Sequence, residues 1–179
     1  RLELFRERAF AMAALQQKMD DGGLAAARVS QEREQLLEME IGGVLFRGKF
    51  DRVDLLDDGS ALVFDYKTGK SDSLAASLQL PAYAVILQGT RKIPVSGYAY
   101  LSQRDSSFTG RLEGRALELL PGWGGRSGDK LEAVIEKAGE RLQAMAESVA
   151  ASDFPPNYDN VAVCRYCDFQ DLCRRKESP

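Results

Sequence analysis

The sequence predicts an α/β domain with one mixed central β-sheet and helices on its faces. Three observations predict it. Helical patterns lie at residues 1–20 and 129–151, three β-prone runs follow one another in the first half, and a further helical stretch separates them from a fourth strand. The 179 residues are enough for one domain with a sizeable core, so we expect a single domain over 1–179 with a cysteine-containing tail at 152–179.

The first elements are predicted from composition and alternation. Residues 1–20 are rich in Leu, Ala, Glu, Arg and Gln and are followed by a glycine pair, which is typical of a helix and its end. The stretch 22–32 is ambiguous. Apolar residues alternate with glutamates over 35–41, which predicts a half-buried strand, and the two glycines at 42–43 predict a hairpin turn.

The second strand, predicted over 44–56, changes the face on which its apolar residues lie. Phe46 and Phe50 share one face, whereas Val53 has the opposite parity. Such a change requires a bulge or a bend near 48–52, and Asp51 lies in that stretch.

The third strand, 61–67, completes a predicted antiparallel meander and ends in a charged sequence. It follows a turn at 57–60. Side chains alternate along a strand, so Asp65 and Lys67 should project together from one face and Tyr66 from the other.

The next helix is predicted over 73–88, and Pro81 counts against a continuous helix there. The helix therefore begins nearer Gln79 or is kinked. Gln79 and Tyr83 are four residues apart and share a face if the helix includes both. A further strand is predicted over 94–102.

The second half ends in a long helix. An edge strand is predicted over 108–120, followed by a glycine-rich loop at 121–128. Apolar residues recur at helical spacing over 129–151, which predicts an amphipathic helix.

Composition excludes several function classes. The net charge is −3, so any nucleic-acid contact should be local or shared with a partner. The chain has no histidine, which excludes Ser-His and Cys-His nucleophiles within it. Its three cysteines are an odd, clustered set that does not suggest a disulfide framework. No run is long or apolar enough to span a membrane.

Asp51, Asp65 and Lys67 form the candidate catalytic constellation. Two carboxylates on adjacent strands, with a nearby main-chain carbonyl, suit Mg²⁺ or Mn²⁺. Such a metal lowers the pKa of bound water and neutralises charge on a phosphodiester, while a lysine beside it orients the water or stabilises the transition state. The alternatives are an ordinary surface salt bridge for the Asp-Lys pair and a turn or edge carboxylate for Asp51.

Three motifs in order resemble the PD-(D/E)xK nuclease superfamily, in its RecB/AddB branch. They read Gly48-Lys49-Phe50-Asp51-Arg52-Val53-Asp54, Asp65-Tyr66-Lys67-Thr68-Gly69 and Gln79-Leu80-Pro81-Ala82-Tyr83. That branch pairs a G-x-x-D-R-x-D strand with a D-Y-K-T-G strand and a Q-x-x-x-Y helix. Each motif alone is weak, but the three occur in the same order at similar spacing, and the resemblance extends over about 34–173.

The resemblance implies a restriction-endonuclease-like core and a role for each site residue. Asp51 and Asp65 would bind the metal, the Tyr66 carbonyl would complete the shell, and Lys67 would be catalytic. Gln79 and Tyr83 would contact DNA or position the site, and the alternative for them is ordinary helix packing. The implied activity is a Mg²⁺- or Mn²⁺-dependent deoxyribonuclease.

The cysteines of the tail resemble those of AddB-type iron–sulfur nucleases. Cys164, Cys167 and Cys173 would bind a [4Fe–4S] cluster together with a fourth cysteine from outside this chain. The alternative is three reduced structural or incidental thiols. A zinc site is disfavoured because the chain offers neither a histidine nor a fourth cysteine.

Two departures from the family pattern qualify the functional expectation. The upstream helix histidine and the fourth cluster cysteine of the family are both missing, so we expect a C-terminal fragment of a longer protein whose metal shell is incomplete. The leading hypothesis is a nuclease domain, an exonuclease on single-stranded DNA, in a cytoplasmic helicase–nuclease for DNA repair and recombination. The alternatives are a catalytically degenerate nuclease-fold module with a structural or DNA-binding role, and a zinc- or iron–sulfur-binding interaction domain.

Overall fold

The structure, a computed structural model, describes residues 2–69, 74–104, 106–123 and 130–153. The cysteine tail, with Cys164, Cys167 and Cys173, lies outside these ranges, as does most of the predicted glycine-rich loop. The described residues form a five-stranded mixed sheet flanked by helices, which confirms the predicted α/β architecture.

The strands lie in the sheet in the order in which they occur along the chain. β1, β2 and β3 pair antiparallel, β4 runs parallel to β3, and β5 is antiparallel to β4. The predicted meander is therefore confirmed. The strands are β1 (Arg28–Ile41), β2 (Val44–Leu56), β3 (Ala61–Lys67), β4 (Val95–Ser102) and β5 (Phe108–Leu112).

Helices cover both faces of the sheet. None of those described has the length and apolar character needed to cross a membrane. They are α1 (Leu2–Asp21), α2 (Leu24–Ala27), α3 (Gln79–Arg91), α4 (Gly114–Leu119) and α5 (Leu131–Ala150), with a short 3-10 turn at Pro121–Trp123.

The sheet separates two hydrophobic clusters. On one face, Met19 of α1 packs with Phe64. On the other, Leu80 of α3 and Ile135 of α5 pack with Val63. Because residues 63 and 64 point to opposite faces, β3 is buried on both sides, which explains why it reads as an uninterrupted apolar run.

Helix α3 begins at Gln79, which is one of the two arrangements predicted from the position of Pro81. Pro81 lies in the first turn, where its missing N–H has no intrahelical partner to lose. The Gln79 N–H is bonded to the Ser77 hydroxyl at 3.3 Å, and the Leu80 N–H donates to the Tyr100 hydroxyl at 3.1 Å. The start of α3 is thereby tied to β4.

The predicted change of face in β2 is present, but no residue is inserted into the strand. Phe50 and Val53, three residues apart, both belong to the cluster on the α3 face. The pairs on either side of Asp51 keep one register with β1. The facing residue, Glu34, has a left-handed φ of 53°. Both strands therefore bend at the same point.

Two predicted segments differ in the structure. The strand expected over 108–120 ends at Leu112, because Gly114, with a left-handed φ of 51°, turns the chain into α4. Helix α4 then buries Ala116 and Leu119. The ambiguous stretch 22–32 contains the short α2 and the start of β1, which is longer than predicted.

Candidate active site

The site lies where β2 and β3 diverge. Their last backbone pair is Arg52 with Phe64, and Asp51 and Asp65 come one residue beyond it. There the Tyr66 N–H donates to the Asp51 Oδ2 at 2.8 Å instead of to a carbonyl of β2. The fork between the strands thus brings the two predicted carboxylates together.

Asp65, Lys67 and Gln79 form one bonded group on the α3 face. The Lys67 Nζ lies 2.6 Å from the Asp65 Oδ2 and donates to the Gln79 Oε1 at 3.0 Å. The Gln79 Nε2 donates to the Asp65 Oδ1 at 2.9 Å. The structure therefore joins three predicted residues that come from two separate motifs.

Burial sets the electrostatics of this group. Asp65 is only 3% exposed, and the loss of solvent raises the pKa of its carboxyl group above the ordinary value. The positive charge of Lys67 opposes this rise in the pKa of Asp65, and the nearby charge of Asp51 adds to it. The Lys67 side chain keeps 29% exposure, so the group is reachable from solvent.

Tyr83 extends the site along α3. Its hydroxyl receives a hydrogen bond from the Gln79 Nε2 at 3.2 Å, which confirms that the two residues share a helix face. Its ring stacks on Phe50 with the centroids 4.5 Å apart. Gly48 lies beneath both rings: a Cβ there would come within 3.0 Å of Phe50 and 3.1 Å of Tyr83. The first motif therefore needs a glycine where its strand passes under the helix.

Tyr100 is a site residue that sequence reasoning missed. Its ring centroid lies 5.4 Å from the Lys67 Nζ, and its hydroxyl accepts the Leu80 N–H and donates to the Ser77 Oγ at 2.9 Å. One buried phenol thus contacts both the lysine at the end of β3 and the start of the helix that carries Gln79. Alternation along β4 indicated only which face Tyr100 occupies.

A second acid–base pair lies on the opposite face, under α1, and sequence reasoning missed it too. Arg52 and Asp54 are both fully buried and bonded to each other through two atom pairs. The Arg52 Nη1 also donates to the Gln16 Oε1 at 2.7 Å and to the Tyr66 hydroxyl at 3.3 Å. Tyr66 therefore projects away from Asp65 and Lys67, as the alternation predicted.

The donor chemistry at the fork fits a hard divalent cation. The Asp65 Oδ2 is buried and, although Lys67 lies close, accepts no hydrogen bond of normal geometry from a described residue. Among the described residues, the Tyr66 N–H engages the Oδ2 of Asp51, which leaves its Oδ1 for a ligand. Within the described ranges, no group of three or more His, Cys, Asp or Glu side chains is placed to hold a metal ion. Two carboxylates suffice for Mg²⁺, because it usually retains several waters.

Comparison with known proteins identifies the class and then the family. The mixed five-stranded sheet with helices on both faces is consistent with a restriction-endonuclease-like nuclease fold. A family model described as the PD-(D/E)XK nuclease superfamily matches residues 2–174, and the chain belongs to this superfamily. No curated protein matches the chain. The roles of Asp51, Asp65, Lys67, Gln79 and Tyr83 stay predictions.

Solved structures add only a distant likeness. Eleven solved chains match. One is the crystal structure of a protein designated SSO0001, with 15% identity and a TM-score of 0.41. The match covers 82% of this chain and 61% of that one, so the chain spans about three fifths of that protein's length.

Proposed function

We propose that this chain is a metal-dependent deoxyribonuclease domain that hydrolyses phosphodiester bonds. Membership in the nuclease superfamily supports hydrolysis of nucleic acid. One observation carries the proposal: Lys67 contacts both Asp65 and Gln79 at the point where Asp51 meets β3. The motifs further favour a RecB/AddB-like exonuclease on single strands, within a helicase–nuclease that acts in DNA repair and recombination.

The contacts of the site residues support one role for each of them. Asp51 and Asp65, with the Tyr66 carbonyl, would hold Mg²⁺ or Mn²⁺, which when bound supplies charge neutralisation and a water of lowered pKa. Lys67 orients the attacking water and stabilises the extra negative charge on the phosphoryl oxygens. Gln79 holds the Lys67 ammonium and the Asp65 carboxylate in one arrangement.

The cysteines of the tail extend the proposal. Cys164, Cys167 and Cys173 would bind a [4Fe–4S] cluster with a fourth thiolate from outside this chain. Absorption near 400 nm after anaerobic reconstitution with a longer chain, and its loss in Cys167→Ser, would support this assignment. Colourless protein with zinc bound at the same thiolates would replace it.

The test is cleavage of end-labelled single-stranded DNA with Mg²⁺ or Mn²⁺ and with EDTA. Asp65→Ala and Lys67→Ala should each abolish metal-dependent cutting. Asp21→Ala and Lys130→Ala remove exposed residues of the same types that are not among the site residues, and they should cut like wild type.

Each outcome of this test decides between the two functional alternatives. Cutting that survives in Asp65→Ala would place the chemistry elsewhere. If wild type does not cut, a chain extended upstream should recover activity; failure of that chain as well would favour a degenerate module that binds DNA or has a structural role.

A further inference from the structure

Two ion pairs connect β1 and β2 on the side of their hairpin that faces away from α3. Phe46 packs toward α3, so Arg47 and Lys49 project from the opposite face of β2. The Arg47 Nε lies 2.6 Å from the Glu38 Oε1, and the Lys49 Nζ contacts the Glu34 Oε2. The two pairs are therefore alike in kind and differ in their position along the hairpin.

The pair of Lys49 and Glu34 adjoins the candidate active site. Lys49 comes two residues before Asp51 on β2, a separation of about 7 Å along a strand. Glu34 lies across from Asp51, because the strand residues on either side keep one register. The pairing with Glu34 raises the pKa of Lys49, and the charge of Asp51 adds to this rise. The Lys49 ammonium therefore lies beside the carboxylate that is proposed to hold the metal.

The backbone of Glu34 ties this ion pair to the bend in the hairpin. Its φ of 53° is in the left-handed region, which residues other than glycine seldom adopt. Backbone strain of this kind persists where the surrounding structure enforces it, and it is concentrated at functional sites. The bend that turns Asp51 into the fork thus also determines where Glu34 meets Lys49.

The two lysines near the fork differ in how firmly they are held. The Lys67 side chain is 29% exposed and contacts both Asp65 and Gln79. The Lys49 side chain is 63% exposed, and its partner Glu34 is equally exposed. Water and salt weaken an exposed ion pair, so a phosphate that approaches the fork can replace the Glu34 carboxylate.

We propose that Lys49 binds a phosphodiester group of the nucleic-acid strand next to the bond that is cut, and that Glu34 competes with the strand for the Lys49 ammonium. The inference rests on the proposed function for the substrate class, but its test measures binding rather than cleavage. The chain has a net charge of −3, so a strand that reaches the two carboxylates of the fork needs a local cation beside them.

The experiment measures the binding of fluorescein-labelled dT12 by anisotropy, in EDTA so that the strand stays intact. At about 0.15 M salt, Lys49→Gln should bind roughly fivefold more weakly than wild type, with a log–log salt slope smaller by about 0.7. Glu34→Gln should bind roughly two- to fivefold more tightly, because it removes the competing carboxylate. Lys49→Arg keeps the charge and should bind within about twofold of wild type.

The matched controls are Arg47→Gln and Glu38→Gln, which break the neighbouring pair on the same face of the hairpin. Arg47 is 64% exposed and Lys49 is 63% exposed, so the two cation variants differ in position rather than in exposure. Arg47 lies about 13 Å along the strand from Asp51, beyond the Debye length of about 8 Å at this salt concentration. Both controls should bind within about twofold of wild type.

The opposite signs expected for Lys49→Gln and Glu34→Gln distinguish a strand contact from an ion pair that only stabilises the hairpin. A purely structural pair would give no gain of affinity in Glu34→Gln, and that result overturns the inference. Equal weakening in Lys49→Gln and Arg47→Gln, or no binding of dT12 by wild type, overturns it as well.

These outcomes also separate the inference from the proposed function. Weaker binding by Lys49→Gln together with tighter binding by Glu34→Gln upholds the role of Lys49 even if the chain does not cut DNA. Unchanged binding by Lys49→Gln overturns that role even if wild type cuts DNA in a metal-dependent reaction.

Discussion

Adjacent residues of β2 and β3 build two acid–base groups on opposite faces of the same sheet, and their surroundings differ. Under α1, the Asp54 carboxylate is fully buried, bonded twice to Arg52, and 3.6 Å from the Arg28 Nη1. Under α3, Asp65 has a lysine partner that keeps 29% exposure. The first group is closed by protein on all sides, whereas the second opens toward solvent.

The difference indicates which carboxylate is available to a ligand. A carboxylate whose oxygens are both bonded to a buried guanidinium has little capacity left, and its removal would leave a buried charge unpaired. Asp65 instead keeps an oxygen without a normal hydrogen bond, at the fork where Asp51 offers another. We infer that the α1 face stabilises the fold and the α3 face carries the chemistry.

The largest effect is expected for Asp65→Asn. Cleavage should fall by roughly 10²- to 10⁴-fold, because a metal ligand and the partner of Lys67 are lost together. The urea midpoint should stay close to that of wild type, since burial disfavours the Asp65 charge in the fold. Asp21→Asn is the control for both readouts. A large loss of stability with cleavage retained would reverse the assignment of the two faces.

Asp54→Asn should show the opposite pattern. It leaves the Arg52 guanidinium buried without its counter-ion, and we expect the free energy of unfolding to fall by ~3–5 kcal/mol. Urea unfolding measures it, with Asp57→Asn, which breaks an exposed pair with Arg115, as a control of small effect. Unchanged stability in Asp54→Asn would show that the α1 face is not the structural one.

Gly48→Ala probes the packing on the α3 face. The new methyl group would meet the rings of Phe50 and Tyr83, so we expect a loss of ~1–3 kcal/mol in unfolding free energy and slower cleavage as Tyr83 moves. Gly122→Ala, whose Cβ meets nothing within 4 Å, is the matched control. Equal unfolding free energy and equal cleavage in the two variants would show that the rings of Phe50 and Tyr83 move aside without effect on stability or activity.

Tyr100→Phe is expected to have the smallest effect. Together with Tyr98→Phe, it compares the two buried tyrosines of β4. It removes the bonds to Leu80 and Ser77 but keeps the ring, so kcat should fall roughly tenfold with KM for the strand steady. Tyr98→Phe removes the other buried phenol hydroxyl of β4, outside the group around Lys67, and should leave kcat close to that of wild type. A fall of kcat in both variants would indicate general disruption of β4 rather than separate roles.

Local patterns predicted much of the site. Alternation placed Asp65 and Lys67 on one face with Tyr66 on the other, and helical spacing placed Gln79 beside Tyr83. The parity of Phe50 and Val53 indicated the bend at Asp51. These features depend on a single element's period, which the sequence displays directly.

The contacts between distant elements could not be read in the same way. The bond from Arg52 to Gln16 joins residues 36 apart, and that from Leu80 to Tyr100 joins residues 20 apart. These contacts exist because α1 and α3 pack on particular faces of the sheet. The periodicity of a single element does not indicate on which face it packs. Arg52 and Asp54 are two residues apart on β2, so their side chains lie on the same face. This was the sequence signal for their pairing.

The most direct test of the central claim is a Mn²⁺ titration followed by the electron paramagnetic resonance signal of the free ion. Wild type should bind Mn²⁺ at a site that is lost in Asp65→Asn and in Asp51→Asn and retained in Asp21→Asn. Equal affinity in Asp65→Asn and wild type, or no binding by wild type, would contradict a metal centre at the fork of β2 and β3.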